Sequence, residues 1–285
     1  MPRWRRKSRG LLVQYEVLVV GDSAWDTIVR VPQAIVYDSD QLAQIHQGPG
    51  GQGLNMAVAA VRQEVLTGLV TQVGFDQQSQ ILVRQMRALG IKLPGLTRAD
   101  PLTRVVSVVR ADGERALLTD PGIGPLFTPH RGLKAQVLLL SGYILGRPQG
   151  HERMHSWLTW ARAHQVITLL DASHPSLSSL VSRYLAAVDW ILANEREWDA
   201  LCRPNRVQSV IKRGKDGLTM HWAGRYIDAH ASPSQAIVDT TGAGDAVAGG
   251  FAAWLARGAT PQASLQKACE LGLAACLKMG AVTLG

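Results

Sequence analysis

The sequence predicts an α/β fold built on a mostly parallel sheet, and three observations lead there. Short, continuous apolar runs recur at Val17 to Val20, Val137 to Leu140, Val166 to Leu170 and Trp190 to Ala193. They lack the alternation of a half-solvated strand, as expected where helices cover both faces of a parallel sheet. Helical stretches separate these runs in a βα rhythm. Finally, two glycine clusters, Gly48 to Gly53 and Gly242 to Gly244, each give way to a helix of small residues.

Taken in order, Val17 to Val20 opens the core. The polar, irregular stretch from Asp22 to Gln47 holds two short β-like pieces, Ile28 to Val31 and Gln44 to Gln47. A helix over Leu54 to Arg62 follows, then a strand over Gly68 to Val73. The next helix, Ser79 to Leu89, stops at Gly90, a residue suited to a left-handed C-cap. Arg104 to Arg110 alternates polar and β-branched residues, and Asp112-Gly113 is a hairpin turn into Arg115 to Thr119. Beyond the Val137 strand come a helix over Glu152 to Ala163, the Val166 strand, a helix near Leu177 to Ala187 and the Trp190 strand. Val210 to Lys212 and Leu218 to Trp222 bracket a Gly214-x-x-Gly217 loop. Ala236 to Val238 reads as a strand before the second glycine turn, and Ala246 to Ala256 and Ala263 to Met279 as the last helices. The β-like segments near 28–47 and 104–119 fall outside the parallel core. They predict a small sheet over the carboxyl ends of the core strands, the edge at which ligands bind in such folds.

Composition bounds the function. The chain of 285 residues is long enough for a large core, and its net charge of +8 is concentrated. Arg3, Arg5, Arg6, Lys7 and Arg9 lie in an acid-free first ten residues, leaving +3 for the rest. We read residues 1–10 as a basic, disordered tail and 11–285 as one domain. With no basic run interleaved with aromatics, nucleic acid is not expected as a partner. No uninterrupted apolar segment reaches the roughly eighteen residues of a membrane span, and Leu11-Leu12-Val13 is broken by Gln14 and Glu16, unlike a secretion signal. Three cysteines without C-x-x-C spacing suit a reducing cytoplasm. The eight histidines form no metal-binding pattern.

The most informative stretch is Asp239-Thr240-Thr241-Gly242-Ala243-Gly244-Asp245. A glycine turn opening a helix points several backbone N–H groups at one spot, at the positive end of the helix dipole, and so suits an anion. Asp245 would stand beside that anion, where a carboxylate repels phosphate unless it takes a proton from an attacking hydroxyl. The upstream cluster fits G-x-G-x-x-G at Gly48, Gly50 and Gly53. It does not follow the first strand, and no convincing ribose-binding acid lies downstream, which argues against a nicotinamide site.

These residues together resemble the ribokinase-like (PfkB) carbohydrate kinase family over nearly the whole chain. The signatures are G-G-x-G-x-N-x-A at Gly50 to Ala57, N-x-x-E at Asn194 to Glu197, G-x-x-G at Gly214 to Gly217, and D-T-x-G-A-G-D at Asp239 to Asp245. The resemblance implies a three-layer α/β sandwich with a small β-sheet lid that covers a sugar and often mediates dimerisation. It also implies ATP-dependent phosphorylation of a hydroxyl on a small sugar. Asp245 would then be the general base, with Gly242, Ala243 and Gly244 as the anion hole. Asp26, Gly51, Gln52 and Asn55 would bind the substrate, and Asn194, Lys212, Gly214 and Gly217 would bind ATP. Glu197 would support Mg2+ through water, and Asp239 and Thr241 match positions that hold an activating K+ in many relatives.

Two departures stand out. Gln52 takes the place where ribokinases usually carry lysine, which weighs against a ribose-specific reading. The chain ends at Gly280 to Gly285, without the longer polar stretch that completes the potassium site in relatives. Asp171-Ala172-Ser173-His174-Pro175 also lacks the Asn and Arg of some fructokinase and ketodeoxygluconate kinase relatives. Two alternatives stay open: a nucleoside kinase of the same family, and a non-catalytic sugar-binding relative. Eight tryptophans leave room for base stacking, although none falls within the expected lid segments.

Overall fold

The computed structural model describes residues 14–110, 115–232 and 236–277; the basic tail, the Asp112-Gly113 turn and the C-terminal end lie outside the described residues. The chain runs β1 (Tyr15–Val20), β2 (Ala24–Val31), β3 (Gln44–Gly50), α1 (Gln52–Val61), β4 (Thr67–Val73), α2 (Gln77–Ala88), β5 (Lys92–Arg98), β6 (Thr103–Arg110) and β7 (Arg115–Asp120). It continues through β8 (Ala135–Ser141), α3 (Gly150–Ala163), β9 (Ile167–Asp171), α4 (Ser178–Val181), β10 (Trp190–Asn194), α5 (Glu195–Ala200), β11 (Gln208–Lys212), β12 (Leu218–Trp222), β13 (Arg225–Ala229), α6 (Ala243–Ala256) and α7 (Pro261–Cys276).

Nine strands form the main sheet in the order β13-β12-β11-β10-β9-β8-β1-β4-β5. It is parallel from β5 to β11, and β12 and β13 add antiparallel strands at one edge. Residues on β1 divide between two cores. Val17 and Val19 face a cluster with Leu54, Met86, Phe251 and Leu265, whereas Leu18 and Val20 face one with Met154, Trp157 and Trp198. Helices therefore cover both faces, which is why these strands are apolar throughout and not alternately. A separate sheet, β3-β2-β6-β7, gathers the segments expected to lie outside the core.

Several expectations are corrected. Ala236 to Val238 is not a strand: Ile237 and Val238 are about half exposed, and the N–H groups of Val238 and Asp239 donate to the Cys276 carbonyl instead of a sheet. The helix expected near Leu177 to Ala187 is one turn, α4, between 3-10 segments. Serines at 176, 178, 179 and 182 account for this, since their hydroxyls compete for backbone groups, as Ser182 Oγ does at the Ser179 carbonyl. Two strands escaped the sequence reading. Pro94 and Gly95 disguise β5, yet it is an edge strand where both are tolerated, and β13 follows β12 across the tight Ala223-Gly224 turn. The second sheet begins earlier than expected, so Trp25 and Asp26 lie on β2 and not in irregular chain before it.

Candidate active site

The parallel strands converge on one edge. Asp22 follows β1, Ser141 ends β8, Asp171 ends β9, Asn194 ends β10 and Lys212 ends β11, with Ser141 in register with Asp171 and Asn194 with Lys212. The N-termini of α1 and α6 arrive at the same edge. Their helices cross closely because Gly249 has no side chain: a Cβ there would lie 2.2 Å from the Met56 carbonyl oxygen. That approach lets Asn55 Nδ2, on α1, donate to Asp245 Oδ2, on α6, at 2.7 Å.

Helix α6 opens at Gly242, whose φ of 77° is left-handed and favours glycine. Ala243 and Gly244 form the first turn, where N–H groups lack intrahelical acceptors, although Ala243 N–H makes a 3.3 Å bond to the Thr240 carbonyl. Asp245 sits in that turn. Burial pushes its carboxyl up to about 7, with the Asn55 bond and Lys212 pulling down and Asp171 and Asp22 pushing further up. Such a value suits a group that must accept a proton near neutrality.

A chain of hydrogen bonds runs beside this turn. Gln52 Oε1 accepts from Ser141 Oγ at 2.5 Å and from Ser173 Oγ at 2.6 Å, and Gln52 Nε2 donates to Asp171 Oδ1 at 3.1 Å. Ser173 N–H also donates to Asp171 Oδ1, at 3.0 Å, and Lys212 Nζ donates to Asp171 Oδ2 at 2.7 Å. The Asp171 and Lys212 side chains are only 1% and 13% exposed. Burial works against the ammonium, but Asp171, Glu197 and Asp245 outweigh it and hold the lysine above its ordinary pKa.

Asp26 reaches the site from the second sheet. Its carboxylate stands over Gly50, where a Cβ would lie 2.0 Å from Oδ2. Burial, reinforced by Asp22, pushes it up to about 7. Asp26 Oδ1 and Asn55 Oδ1 are buried acceptors with no hydrogen-bond donor among the described residues. Gly51, at φ 96°, packs on the chain itself: a Cβ would meet Ala24 N at 2.8 Å and the Asp22 carbonyl oxygen at 2.9 Å.

Asn194 and Glu197 bind each other in a capping box. Glu197 N–H donates to Asn194 Oδ1 at 2.9 Å, and the Glu197 carboxylate accepts from Asn194 N at 2.8 Å and from Asn194 Nδ2 at 2.7 Å. Glu197 is buried, which raises its carboxyl, with Asp171 adding to the effect and Lys212 opposing it. Gly214 and Gly217 shape the loop after β11, closed by Arg213 N–H donating to the Gly217 carbonyl at 2.9 Å. Among the described residues no group of three His, Cys, Asp or Glu side chains could hold a metal ion. With each Glu197 oxygen already accepting a hydrogen bond, that carboxylate fits Mg2+ through water better than by direct ligation. Asp239 Oδ1 accepts from Thr241 N at 2.9 Å and Thr241 Oγ1 at 2.7 Å, and Arg30 Nη2 of β2 lies 3.8 Å from Asp239 Oδ2. A guanidinium so close fits potassium poorly.

Sequence reasoning thus located Asn55, Asp245, Gln52 and Lys212, which the fold gathers, whereas Asp239 and Thr241 form a separate pair. It missed Asp171 and Asp22, acids at the carboxyl ends of apolar strands, where ligands bind in such folds. It also missed Tyr143, whose hydroxyl is pushed well above its ordinary pKa by burial and by Asp22, Asp245, Asp171 and Glu197 around it.

Comparison with known proteins bears on this arrangement. An ATP-dependent ribose-1-phosphate kinase of Halopiger xanaduensis is 28% identical over 257 residues, 85% of this chain and 86% of that protein. The adenosine kinase of Sinorhizobium meliloti shares the fold with a TM-score of 0.82 at 21% identity, over 95% of this chain and 97% of that one. A ribokinase of Cryptococcus neoformans var. grubii serotype A in complex with ADP does so at 0.78 and 20% identity, over 95% and 97%. Residues 14–284 match the model of the pfkB family carbohydrate kinases, nearly the whole length over which the fold and the clustered side chains have been described: the chain belongs to the pfkB family of carbohydrate kinases.

Proposed function

We propose that the protein transfers the γ-phosphoryl group of ATP to a hydroxyl of a small sugar, with Asp245 as general base. The observation that carries this reading is the pair of buried acceptors without a donor among the described residues, Asp26 Oδ1 and Asn55 Oδ1, the second on the side chain bound to a carboxyl poised near neutrality. A buried acceptor without a donor is costly, and sugar hydroxyls are the donors that would satisfy both. In the reaction the acceptor hydroxyl gives its proton to the Asp245 carboxylate as its oxygen bonds to the γ-phosphorus. The β,γ-bridging P–O bond breaks, and ADP leaves with that electron pair. The N–H groups of the Gly242 to Gly244 turn, with the Lys212 ammonium, stabilise charge spreading over the phosphoryl oxygens. Glu197 would hold Mg2+ through water, and the ion would supply further charge neutralisation; Asn194, Gly214 and Gly217 would border the nucleotide. Kinase names among the relatives, and an ADP complex on the same fold, support ATP as donor.

The second sheet acts as the lid. Adjacent residues on β7, Leu117 and Leu118, are 53% and 62% exposed, and Ile45 on β3 is 61% exposed. Neighbouring strand residues point to opposite faces, so both faces of the lid edge carry uncovered apolar surface. One face would close over the sugar and the other would pair with a second copy in a homodimer. Three free cysteines fit a reducing cytoplasm. A nucleoside acceptor is the second reading, favoured by the adenosine kinase that shares the fold over 95% of this chain.

Acceptor-dependent ADP release with MgATP, measured over sugars, sugar phosphates and nucleosides with Asp245→Asn in parallel, tests the proposal. One acceptor class whose turnover vanishes in the variant is expected. Release that no acceptor stimulates, or that survives the substitution, refutes it.

A further inference from the structure

We propose that Gln52 is a positioning residue and not a substrate contact: through Asp171 it fixes the Lys212 ammonium against the Gly242–Gly244 turn. The inference rests on the kinase reading only for what the ammonium serves. Gln52 Oε1 already accepts two hydroxyl hydrogen bonds, from Ser141 and Ser173, and Nε2 donates to Asp171. Only one N–H of the amide is left over. Asp171 is held at both oxygens in turn, with Oδ1 accepting from Gln52 and Ser173 and Oδ2 from Lys212. At the far end, a Cβ on Gly244 would lie 3.4 Å from Lys212 Nζ and 3.5 Å from Cδ, so the lysine lies directly against the turn.

The physical need is clear. A lysine carries its charge on a flexible four-carbon stem, and a buried ammonium is tolerated only when paired and hydrogen-bonded. Asp171 provides the pairing, but a carboxylate held at one oxygen alone could rotate and carry the ammonium with it. Gln52 and Ser173 hold the other oxygen, and Ser141 holds Gln52 from a third strand. A cation at position 52 would compete with Lys212 for the same carboxylate, so a neutral amide is the side chain that leaves one positive charge, in one place. Position 52 thereby acts on the phosphate side of the reaction although it lies in the glycine cluster that binds substrate.

Calorimetric binding of the magnesium complex of the ATP analogue AMP-PNP tests this, together with kcat and both KM values. Losing the amide bond to Asp171 in Gln52→Met is expected to weaken AMP-PNP by about tenfold, the worth of one hydrogen bond to a charged group. It should raise the KM for MgATP and leave the acceptor KM unchanged. In a Lys212→Met background, where the ammonium is gone, the same substitution should cost about twofold or less, because its effect is routed through the lysine. Ser173→Ala, a milder loosening of Gln52, should move the same quantities by about threefold and serves if Gln52→Met folds poorly. Equal effects of Gln52→Met in both backgrounds, or a change confined to the acceptor KM, would overturn the inference. AMP-PNP binding without acceptor-dependent ADP release would sink the kinase reading and leave this one standing. A wild type that binds no AMP-PNP sinks both.

Discussion

Replacing Asp245 by asparagine should abolish turnover and at the same time stabilise the protein at alkaline pH. Burial raises this carboxyl from 3.8 to about 7, so folding at pH 8.5 requires an ionised group to sit where ionisation is disfavoured. Each pKa unit is worth about 1.4 kcal/mol, which puts the ceiling at about 4 kcal/mol. Asp245 is partly accessible at the mouth of the site, and screening there brings the expectation down to about 1–2 kcal/mol. Asparagine is close in size and its carbonyl keeps the bond from Asn55, so no cavity opposes the gain. The pH dependence has a definite sign. Below about pH 4 the carboxyl is protonated in the folded and unfolded chains alike and costs nothing. Between about 4 and 7 the folded chain binds the extra proton, so wild-type stability falls as pH rises, and the full cost is present above 7. Thermal unfolding of both proteins at pH 8.5 and 5.5 reads this directly. At pH 8.5 the variant should melt about 2–4 °C higher, and at pH 5.5 about half of the free-energy advantage should remain. A variant equal to or less stable than wild type at pH 8.5 would refute the burial argument, and with it the case for Asp245 as a tuned base.

Three further outcomes are expected. The acceptor kcat/KM should fall about tenfold per pH unit on an acidic limb with its midpoint near 7, where Asp245 gains its proton; a flat profile down to pH 5 contradicts the base assignment. Gly50→Ala puts a methyl group 2.0 Å from Asp26 Oδ2 and must displace that carboxylate. The acceptor KM should rise about tenfold, the loss of one good hydrogen bond, with the KM for MgATP unchanged, and an unchanged acceptor KM removes Asp26 from the substrate site. Gly249→Ala forces α1 and α6 apart, since its Cβ would lie 2.2 Å from the Met56 carbonyl oxygen. Denaturant unfolding should show a loss of about 1–3 kcal/mol, and a neutral result means the helices can separate freely.

The parts of the fold legible in the sequence were those whose environment is the same on every side. The apolar runs in β1, β8, β9 and β10 are buried on both faces, so composition alone marks them. Edge strands carry no such mark: β5 holds a proline and a glycine, and β13 is largely polar. Ala236 to Val238 misled for the converse reason, being apolar without being paired. The helix that starts at Asn194 was not read from the sequence, although the spacing that matches a family signature is also a capping box.

Local sequence by itself determined the parallel core, the glycine turn into α6 and the acid in its first turn, because each depends on backbone conformation and burial within a few neighbouring residues. Only the tertiary structure decided what those residues face. Gln52 and Asp171 meet across 119 positions, and Asn55 and Asp245 across 190. Such pairings follow from strand order and helix crossing, which set distances that no local pattern encodes. They turned Gln52 toward a carboxylate, brought Lys212 against Gly244, and left Asp26 Oδ1 and Asn55 Oδ1 buried without donors among the described residues.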